Sequence, residues 1–178
     1  MGADCSGVTG AIATNVAVPN GVVMISPSAT SPGLTDLADN GFFFRTAPSD
    51  ARGGQILADI TKDRGVNSVA VTYTNNDYGK GLADVFSAEA TSRGITVTTV
   101  ESHEDGKADY SSEVATLASA GGDALAVIGY IDQGGKGIIQ NAIDSGAFDT
   151  FILSDGMIGD SLTDAFGKDL NKSFGSLP

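Results

Sequence analysis

The chain has 178 residues, which is enough for one domain with a substantial core or for parts of two domains. Its 22 acidic and 10 basic residues give a net charge of -12, spread along the whole chain. This charge argues against nucleic acid as a partner, because phosphates are neutralised by Lys and Arg, and against an anionic membrane surface. No apolar run reaches about 18 residues, so we predict no direct membrane insertion. Met1 to Asp4 lacks the basic and then apolar opening of a signal peptide, as expected of a mature chain from which one was removed.

The N-terminal segment combines small residues with one short apolar run. Gly10 to Val18 predicts a short helix, and Val22 to Ile25 predicts a buried strand that stops at Ser26-Pro27. The hydroxyl residues that follow, with the backbone N–H groups of a turn, could hold a small charged or zwitterionic ligand. A polar loop without a ligand is the alternative interpretation. Residues 41–45 predict a second extended segment.

From residue 49 onward, helix and strand patterns alternate four times. Apolar residues at helical spacing predict helices at 50–62, 82–93, 109–120 and 138–145, and β-branched or apolar runs predict strands at 68–74, 95–100, 123–129 and 150–153. Ser161 to Phe166 predicts a last short helix. Continuous apolar strands separated by helices are typical of a parallel sheet covered on both faces, so we predict a three-layer α/β/α fold.

In such folds, ligands bind beyond the carboxyl ends of the strands. The predicted ends are Thr74 to Tyr78, Gly129 to Gln133 and Ser154 to Gly156. Each of these segments contains a tyrosine or an acidic residue. This convergence predicts a binding site at one edge of the sheet.

One short motif raises an enzymatic alternative. Gly159-Asp160-Ser161-Leu162 matches the nucleophile block of a family of serine esterases. That block normally lies near the N-terminus, and its histidine lies near the C-terminus. Here the only histidine, His103, lies upstream in a predicted charged loop, so Ser161 lacks a candidate base. We therefore interpret Ser161 as a helix N-cap, with Asp164 three positions later, and predict no enzyme.

Cofactor and metal sites are not indicated. Gly134-Gly135-Lys136-Gly137 lacks the spacer and the following hydroxyl residue of a phosphate loop, and no Gly-x-Gly-x-x-Gly follows a strand. One histidine and one cysteine, Cys5, give no metal-ligand spacing. We predict neither a cofactor nor a metal.

Several blocks together resemble the type I periplasmic binding proteins, specifically the branched-chain amino acid (Leu/Ile/Val) binding proteins of ABC importers. These blocks are Cys5-Ser6, ISPSATSPGLTD (25–36), FRTAPSD (44–50), NNDYGKGLAD (75–84), KADYSS (107–112), IGYIDQGGK (128–136) and ILSDG (152–156). The combination, in the family's order, is specific.

The resemblance implies two α/β lobes joined by crossovers, in proteins about twice this length. FRTAPSD resembles the first crossover. The chain would then be a fragment, in which residues 1–45 are a remnant of the first ligand-binding lobe and residues 46–178 form the second α/β lobe.

The resemblance also implies the site and the function. Ser6, Ser28, Ala29 and Thr30 match the first-lobe positions that hold the ligand's carboxylate and amino group. Tyr78, Tyr130 and Asp155 match the second-lobe positions that close over it, with Asp155 facing the ammonium.

The implied function is a periplasmic receptor that closes around a small amino acid and delivers it to the membrane permease of an ABC importer. A sensor of the same fold for amides or organic acids is the alternative.

Overall fold

In the computed structural model, which describes residues 2–177, the first part of the chain forms a small unit with its own core. Helix α1 (Ser6–Ile12) continues as a π-helical turn (Ala13–Ala17). Strands β1 (Met24–Ser26) and β2 (Phe43–Arg45) pair in parallel, and a 3₁₀ turn (Pro32–Leu34) lies between them in the chain. Met24, Leu34 and Phe43 are buried in the core of this unit.

The predictions for this unit were correct in type but not in their limits. The helix expected at 10–18 begins at Ser6, and the first strand covers Met24–Ser26 instead of Val22 to Ile25. Val22 and Val23 are more than half exposed. Strand β1 buries Met24 and Ser26 and exposes Ile25, so the apolar run is not the fully buried strand that we predicted.

A five-stranded parallel sheet forms the centre of the rest of the chain. The elements are α2 (Asp50–Asp63), β3 (Ser68–Thr74), α3 (Asp77–Ser92), β4 (Thr96–His103), α4 (Ser111–Ala120), β5 (Ala124–Ile128), α5 (Gly135–Ser145), β6 (Phe151–Leu153), α6 (Asp160–Phe166) and β7 (Phe174–Gly175), with 3₁₀ turns at Ile131–Gln133, Asp155–Met157 and Gly167–Leu170. The strands lie in the sheet in the order β4-β3-β5-β6-β7. The predicted α/β class with a parallel sheet is confirmed. Strand β7 was not predicted, because two residues carry no readable periodicity.

Alternate side chains of the central strand β5 point to two separate cores. Ala124, Ala126 and Ile128 pack with α2 and α3 on one face of the sheet. Leu125 and Val127 pack with α4, α5 and α6 on the other. The predicted three-layer arrangement is therefore confirmed, because helices cover both faces.

The spacing of Ile56, Leu57 and Ile60 predicts the buried face of helix α2, and the structure matches it in part. Leu57 is buried with Ala58 and Thr61, Ile60 is partly exposed, and Ile56 is 37% exposed. Gly54 lies against α3, where an added Cβ would be 2.7 Å from a Val85 methyl carbon. This close helix–helix contact determines which side of α2 faces inward.

The structure also differs from two predictions about where a strand or a helix begins or ends. His103 was placed in a polar loop but is the last residue of β4 and is buried. The helix predicted at 109–120 begins at Ser111 with Tyr110 as its N-cap, and Asp109 accepts a 3.0 Å hydrogen bond from the Ser111 N–H. At α2 the N-cap is Ser49, whose Oγ accepts from the Ala51 N–H.

The sheet order locates the expected binding edge. The connection that leaves β3 leads to β4 on one side, and the connection that leaves the neighbouring strand β5 leads to β6 on the other side. The two connections therefore diverge between the carboxyl ends of β3 and β5, which creates a crevice there. Within residues 2–177 no helix has both the length and the apolar character needed to cross a membrane.

Candidate functional site

A hydrogen-bonded pair, Tyr78 and Asp155, occupies the carboxyl edge of the sheet. Tyr78 lies in the first turn of α3, and Asp155 follows β6. The Tyr78 hydroxyl donates to Asp155 Oδ1 over 2.6 Å and lies 3.1 Å from Ser154 Oγ. Burial, reinforced by the Asp155 charge, raises the pKa of Tyr78, so the phenol stays protonated and remains a donor. The pair therefore holds the carboxylate of Asp155 in a fixed position.

A glycine permits the close approach that forms this pair. The backbone N–H of Gly156 donates to the Tyr78 oxygen over 3.3 Å. A Cβ at Gly156 would lie 2.3 Å from the Gly129 carbonyl oxygen, so this position has no room for a side chain. The turn after β6 can thus pack directly on the end of β5.

Tyr130 completes the second-lobe set predicted from the sequence. It follows β5, and its ring stacks on Tyr78 with centroids 5.1 Å apart and an interplanar angle of 27°. Burial is the main reason that the pKa of Tyr130 is raised to about 12. The structure therefore brings Tyr78, Tyr130 and Asp155 together.

The hydroxyls of Ser6 and Ser28 hold backbone groups of their own unit. Ser6 is buried, and its Oγ accepts a 3.1 Å hydrogen bond from the Ser31 N–H. Ser28 is exposed and donates to the Asp4 carbonyl oxygen over 3.2 Å. Both side chains therefore stabilise the loop after β1.

Ala29 and Thr30 are buried in the same loop. The Ala29 N–H donates to Ser26 Oγ over 3.1 Å. The Thr30 carbonyl oxygen accepts a 2.9 Å hydrogen bond from the Asp50 N–H, at the start of α2. This last bond joins the small N-terminal unit to the main sheet.

A pocket of about 190 Å³ opens beside this junction. Of the seven predicted site residues, only Thr30 and Asp155 line it. Its other walls include Asp50, Ile56, Leu57, Leu82, Ser154 and Leu177. The volume lies below the roughly 300–1,000 Å³ of pockets for drug-sized ligands, so the pocket suits a small molecule.

Asp50 lines the pocket but was not among the residues predicted from the sequence. It is buried and has a pKa raised to about 6, chiefly by burial and in part by the charge of Asp155. A Thr30 hydrogen bond and the Arg45 charge oppose this rise. The sequence offered one signal: Ser49 already supplies the cap of α2, so the adjacent acid is not needed for capping.

Within residues 2–177, His103 is not placed to serve Ser161 as a base for the esterase alternative. Ser161 is exposed in the first turn of α6, whose N-cap is Gly159, so the predicted N-cap role of Ser161 was wrong. His103 Nδ1 is 2.8 Å from the Thr72 hydroxyl, and its buried Nε2 has no partner within residues 2–177. Burial lowers the pKa of His103 to about 4. This histidine is a neutral core residue and is not bonded to Ser161.

No group of three or more His, Cys, Asp or Glu side chains in residues 2–177 is placed to hold a metal ion. The chemistry of the site thus rests on carboxylates, phenols, a hydroxyl and apolar walls. Such a set can bind a small ligand that carries a positive charge.

Comparison with known proteins identifies similar chains. Residues 1–173 match the family model described as the receptor family ligand binding region. The chain is 38% identical over 136 residues to Leu/Ile/Val-binding protein homolog 3 of Brucella melitensis, which covers 72% of this chain and 37% of that protein. It is 31% identical to Leu/Ile/Val-binding protein BraC3 of Rhizobium johnstonii over 84% of this chain and 42% of that protein.

A solved structure supports the same relationship. The ABC transporter substrate-binding protein from Desulfitobacterium hafniense, in complex with Leu, aligns with a TM-score of 0.70 and 27% identity, over 87% of this chain and 46% of that one. The chain spans about two fifths of the length of the curated relatives it matches.

Proposed function

This chain belongs to the family of receptor ligand-binding regions, and we propose that it is part of an extracytoplasmic receptor for a small aliphatic amino acid. The single observation that carries the proposal is the Asp155 carboxylate, fixed by Tyr78 at a small pocket beyond the carboxyl ends of the strands. An acid held in place at this edge is suited to a ligand ammonium.

The proposed binding mode uses the seven residues predicted from the sequence. Asp155 accepts from the ammonium, and the stacked rings of Tyr78 and Tyr130 exclude water from that contact. Ser6, at the start of α1, and Ser28, Ala29 and Thr30, in the loop after β1, would offer hydroxyls and amides to the ligand's carboxylate. Their internal hydrogen bonds hold this loop in one shape before the ligand arrives.

We propose that residues 1–45 belong to one ligand-binding lobe and residues 46–178 to a second. Two observations support this division: the core around Met24 and Phe43 is separate from both cores of the main sheet, and the bond from Asp50 N–H to the Thr30 carbonyl oxygen crosses between the units. Ligand capture would then proceed by closure of one lobe on the other.

We further propose that the receptor acts in the periplasm without catalysis and passes its ligand to the permease of an ABC importer. The printed names of the relatives, which are Leu/Ile/Val-binding proteins and an ABC transporter substrate-binding protein, support this role. A sensor for an organic acid is less well supported, because such a ligand would leave Asp155 without a partner.

The test is calorimetric titration of the chain with L-leucine, L-valine and L-isoleucine, compared with Asp155→Asn. We expect Asp155→Asn to weaken binding at least tenfold. Asp164→Asn, an exposed acid on α6, is the matched control and should leave the affinity unchanged. Equal affinity of Asp155→Asn and the parent chain would remove Asp155 from the site and withdraw the proposed binding mode.

A further inference from the structure

Ser154 is a buried residue whose hydroxyl joins two other elements of the site. It lies immediately after β6, beside Asp155, and is 1% exposed. Its Oγ accepts a 3.2 Å hydrogen bond from the backbone N–H of Gly129, which follows β5. The same Oγ lies 3.1 Å from the Tyr78 oxygen, in the first turn of α3. Ser154 therefore connects the end of β5 to the tyrosine that contacts Asp155.

The direction of each hydrogen bond follows from the number of protons available. A backbone N–H can only donate, whereas a hydroxyl has one proton and two lone pairs. The single proton of Tyr78 is used in the 2.6 Å bond to Asp155 Oδ1, which is shorter than the 3.1 Å contact with Ser154. The contact between the two hydroxyls therefore uses the serine proton, so that Ser154 accepts from Gly129 and donates to Tyr78.

The Tyr78 oxygen then has a complete set of partners. It accepts from the Ser154 hydroxyl and, over 3.3 Å, from the Gly156 N–H, and it donates to Asp155. With both lone pairs used, the phenol proton has only the direction of Asp155 left. Burial is the largest cause of the raised pKa of Tyr78, whereas the hydrogen bonds of Ser154 and Gly156 act to lower it, as donors to a phenol oxygen do.

Ser154 lines the pocket beside Asp155, but its hydroxyl is already used inside the chain. Its proton is directed to Tyr78, and one lone pair accepts from Gly129. A ligand could take the serine proton only by breaking the bond to Tyr78. Ser154 is thus placed to act on a ligand through Tyr78 and Asp155.

We infer that Ser154 is a positioning residue, whose hydroxyl directs the Tyr78 proton onto Asp155 and so fixes the carboxylate that meets the ligand's ammonium. The inference rests on the proposed function and adds a residue that acts without touching the ligand. The competing role for Ser154 is structural only. In that role it would serve as the acceptor for the buried Gly129 N–H, and its loss would loosen the end of β5.

The first measurement is the NMR resonance of the Tyr78 hydroxyl proton in the ligand-free chain, identified by its absence in Tyr78→Phe. A buried proton in a short hydrogen bond is protected from exchange with water, so we expect the resonance in the parent chain. Ser154→Ala should shift it or broaden it beyond detection, because the proton is no longer confined to one direction. An unchanged resonance in Ser154→Ala, or a parent spectrum without one, would overturn the inference.

Ser173→Ala is the matched control. Ser173 Oγ accepts a 3.1 Å hydrogen bond from the Phe151 N–H, at the opposite end of β6 from Ser154. The substitution therefore removes the same kind of bond at a distance from the site. It should leave the Tyr78 hydroxyl resonance in place and the affinity for L-leucine unchanged.

The second measurement is the affinity for L-leucine, by calorimetry, of Ser154→Ala, Tyr78→Phe and the double variant. We expect Ser154→Ala to weaken binding about fivefold to tenfold, and to have no further effect once Tyr78 is replaced. A purely structural role would weaken binding by the same factor with or without the Tyr78 hydroxyl. That result would rule out the positioning role.

Failure of the inference and failure of the proposed function give different results. Leucine binding that depends on Asp155 but is unaffected by Ser154→Ala would contradict the inference and leave the proposed function in place. If the parent chain binds no leucine, the proposed binding mode fails. The hydroxyl resonance of the ligand-free chain then decides by itself whether Ser154 positions the Tyr78 proton.

Discussion

The Tyr78 hydroxyl donates a 2.6 Å hydrogen bond to Asp155, a residue 77 positions later in the chain. The bond links the start of α3 to the end of β6 across the carboxyl ends of two parallel strands. The same contact holds the edge of the sheet together and orients the acid proposed to meet the ligand.

Tyr78→Phe should destabilise the chain by about 1–3 kcal/mol, because it removes a buried hydrogen bond to a charged group and leaves Asp155 without that donor. Urea unfolding at pH 7.5 would measure the loss. Tyr73→Phe is the control and should change stability little. The Tyr73 side chain packs against the same core, and its hydroxyl makes no hydrogen bond within residues 2–177. Equal effects of the two substitutions would show that the Tyr78 hydroxyl contributes nothing to stability.

Asp50→Asn should raise the stability of the ligand-free chain at pH 7.5. The pKa of Asp50 is about 6 in the folded chain, compared with an ordinary value of 3.8. Above pH 6 the folded chain therefore holds an ionised carboxylate in an unfavourable environment, which lowers its stability. This difference corresponds to at most roughly 3 kcal/mol. The folded chain takes up the proton first as pH falls through 6, so the advantage of the variant shrinks between pH 6 and 4.

Thermal unfolding of the parent chain and Asp50→Asn at several pH values would measure that advantage. The groups facing Asp50 are Thr30, Arg45 and Asp155, and all three are retained in the variant. Asp63→Asn should show no such pH-dependent difference. An advantage of Asp50→Asn that does not change with pH would mean that Asp50 titrates normally.

His103 should remain neutral down to a pH well below the ordinary pKa of a histidine side chain. Burial lowers its pKa to about 4, against opposing effects from Asp105, Glu113 and Glu104. Since it is the only histidine in the chain, its imidazole proton resonances can be followed directly by NMR during a pH titration. A midpoint near 6.5 would contradict the buried position.

The lowered pKa of His103 makes the folded chain less stable as the pH falls, whereas the raised pKa of Asp50 has the opposite effect on stability. As pH falls from 6.5 towards 4, the unfolded chain protonates His103 before the folded chain does, so folding loses up to roughly 3 kcal/mol. His103→Gln, which cannot titrate, should lose less stability over this interval. Urea unfolding at pH 7.5 and 4.5 would show the difference between the two proteins.

Gly81→Ala should loosen the contact between the N-terminal unit and α3. A Cβ at Gly81 would lie 2.9 Å from Pro32 Cδ and 3.2 Å from Ser31 Oγ, both in the N-terminal unit. Hydrogen exchange in residues 2–45 should therefore become faster.

Gly53→Ala is the matched helical control, because its nearest neighbour would be 3.8 Å away, and it should stabilise the chain by about 0.5–1 kcal/mol. An equal gain from Gly81→Ala would contradict the close contact.

The sequence alone determined the fold class and the candidate edge of the sheet. Strand β3 was predicted at its observed limits, Ser68–Thr74, and the apolar run predicted as a strand at 123–129 forms β5, Ala124–Ile128. Both signals are local, because side-chain periodicity and an apolar run report how a segment is buried. Tyr78, Tyr130 and Asp155 lie in segments predicted to follow strands, and their proposed roles came from the family resemblance.

The tertiary structure decided which polar groups are paired and which are left open. His103, predicted in a charged loop, is buried against Thr72, and Asp50, which had no predicted role, is buried beside the N-cap Ser49. The hydroxyls of Ser6 and Ser28 likewise proved to hold their own loop. Hydrogen-bond partners and burial depend on residues distant in sequence, so no local pattern can specify them.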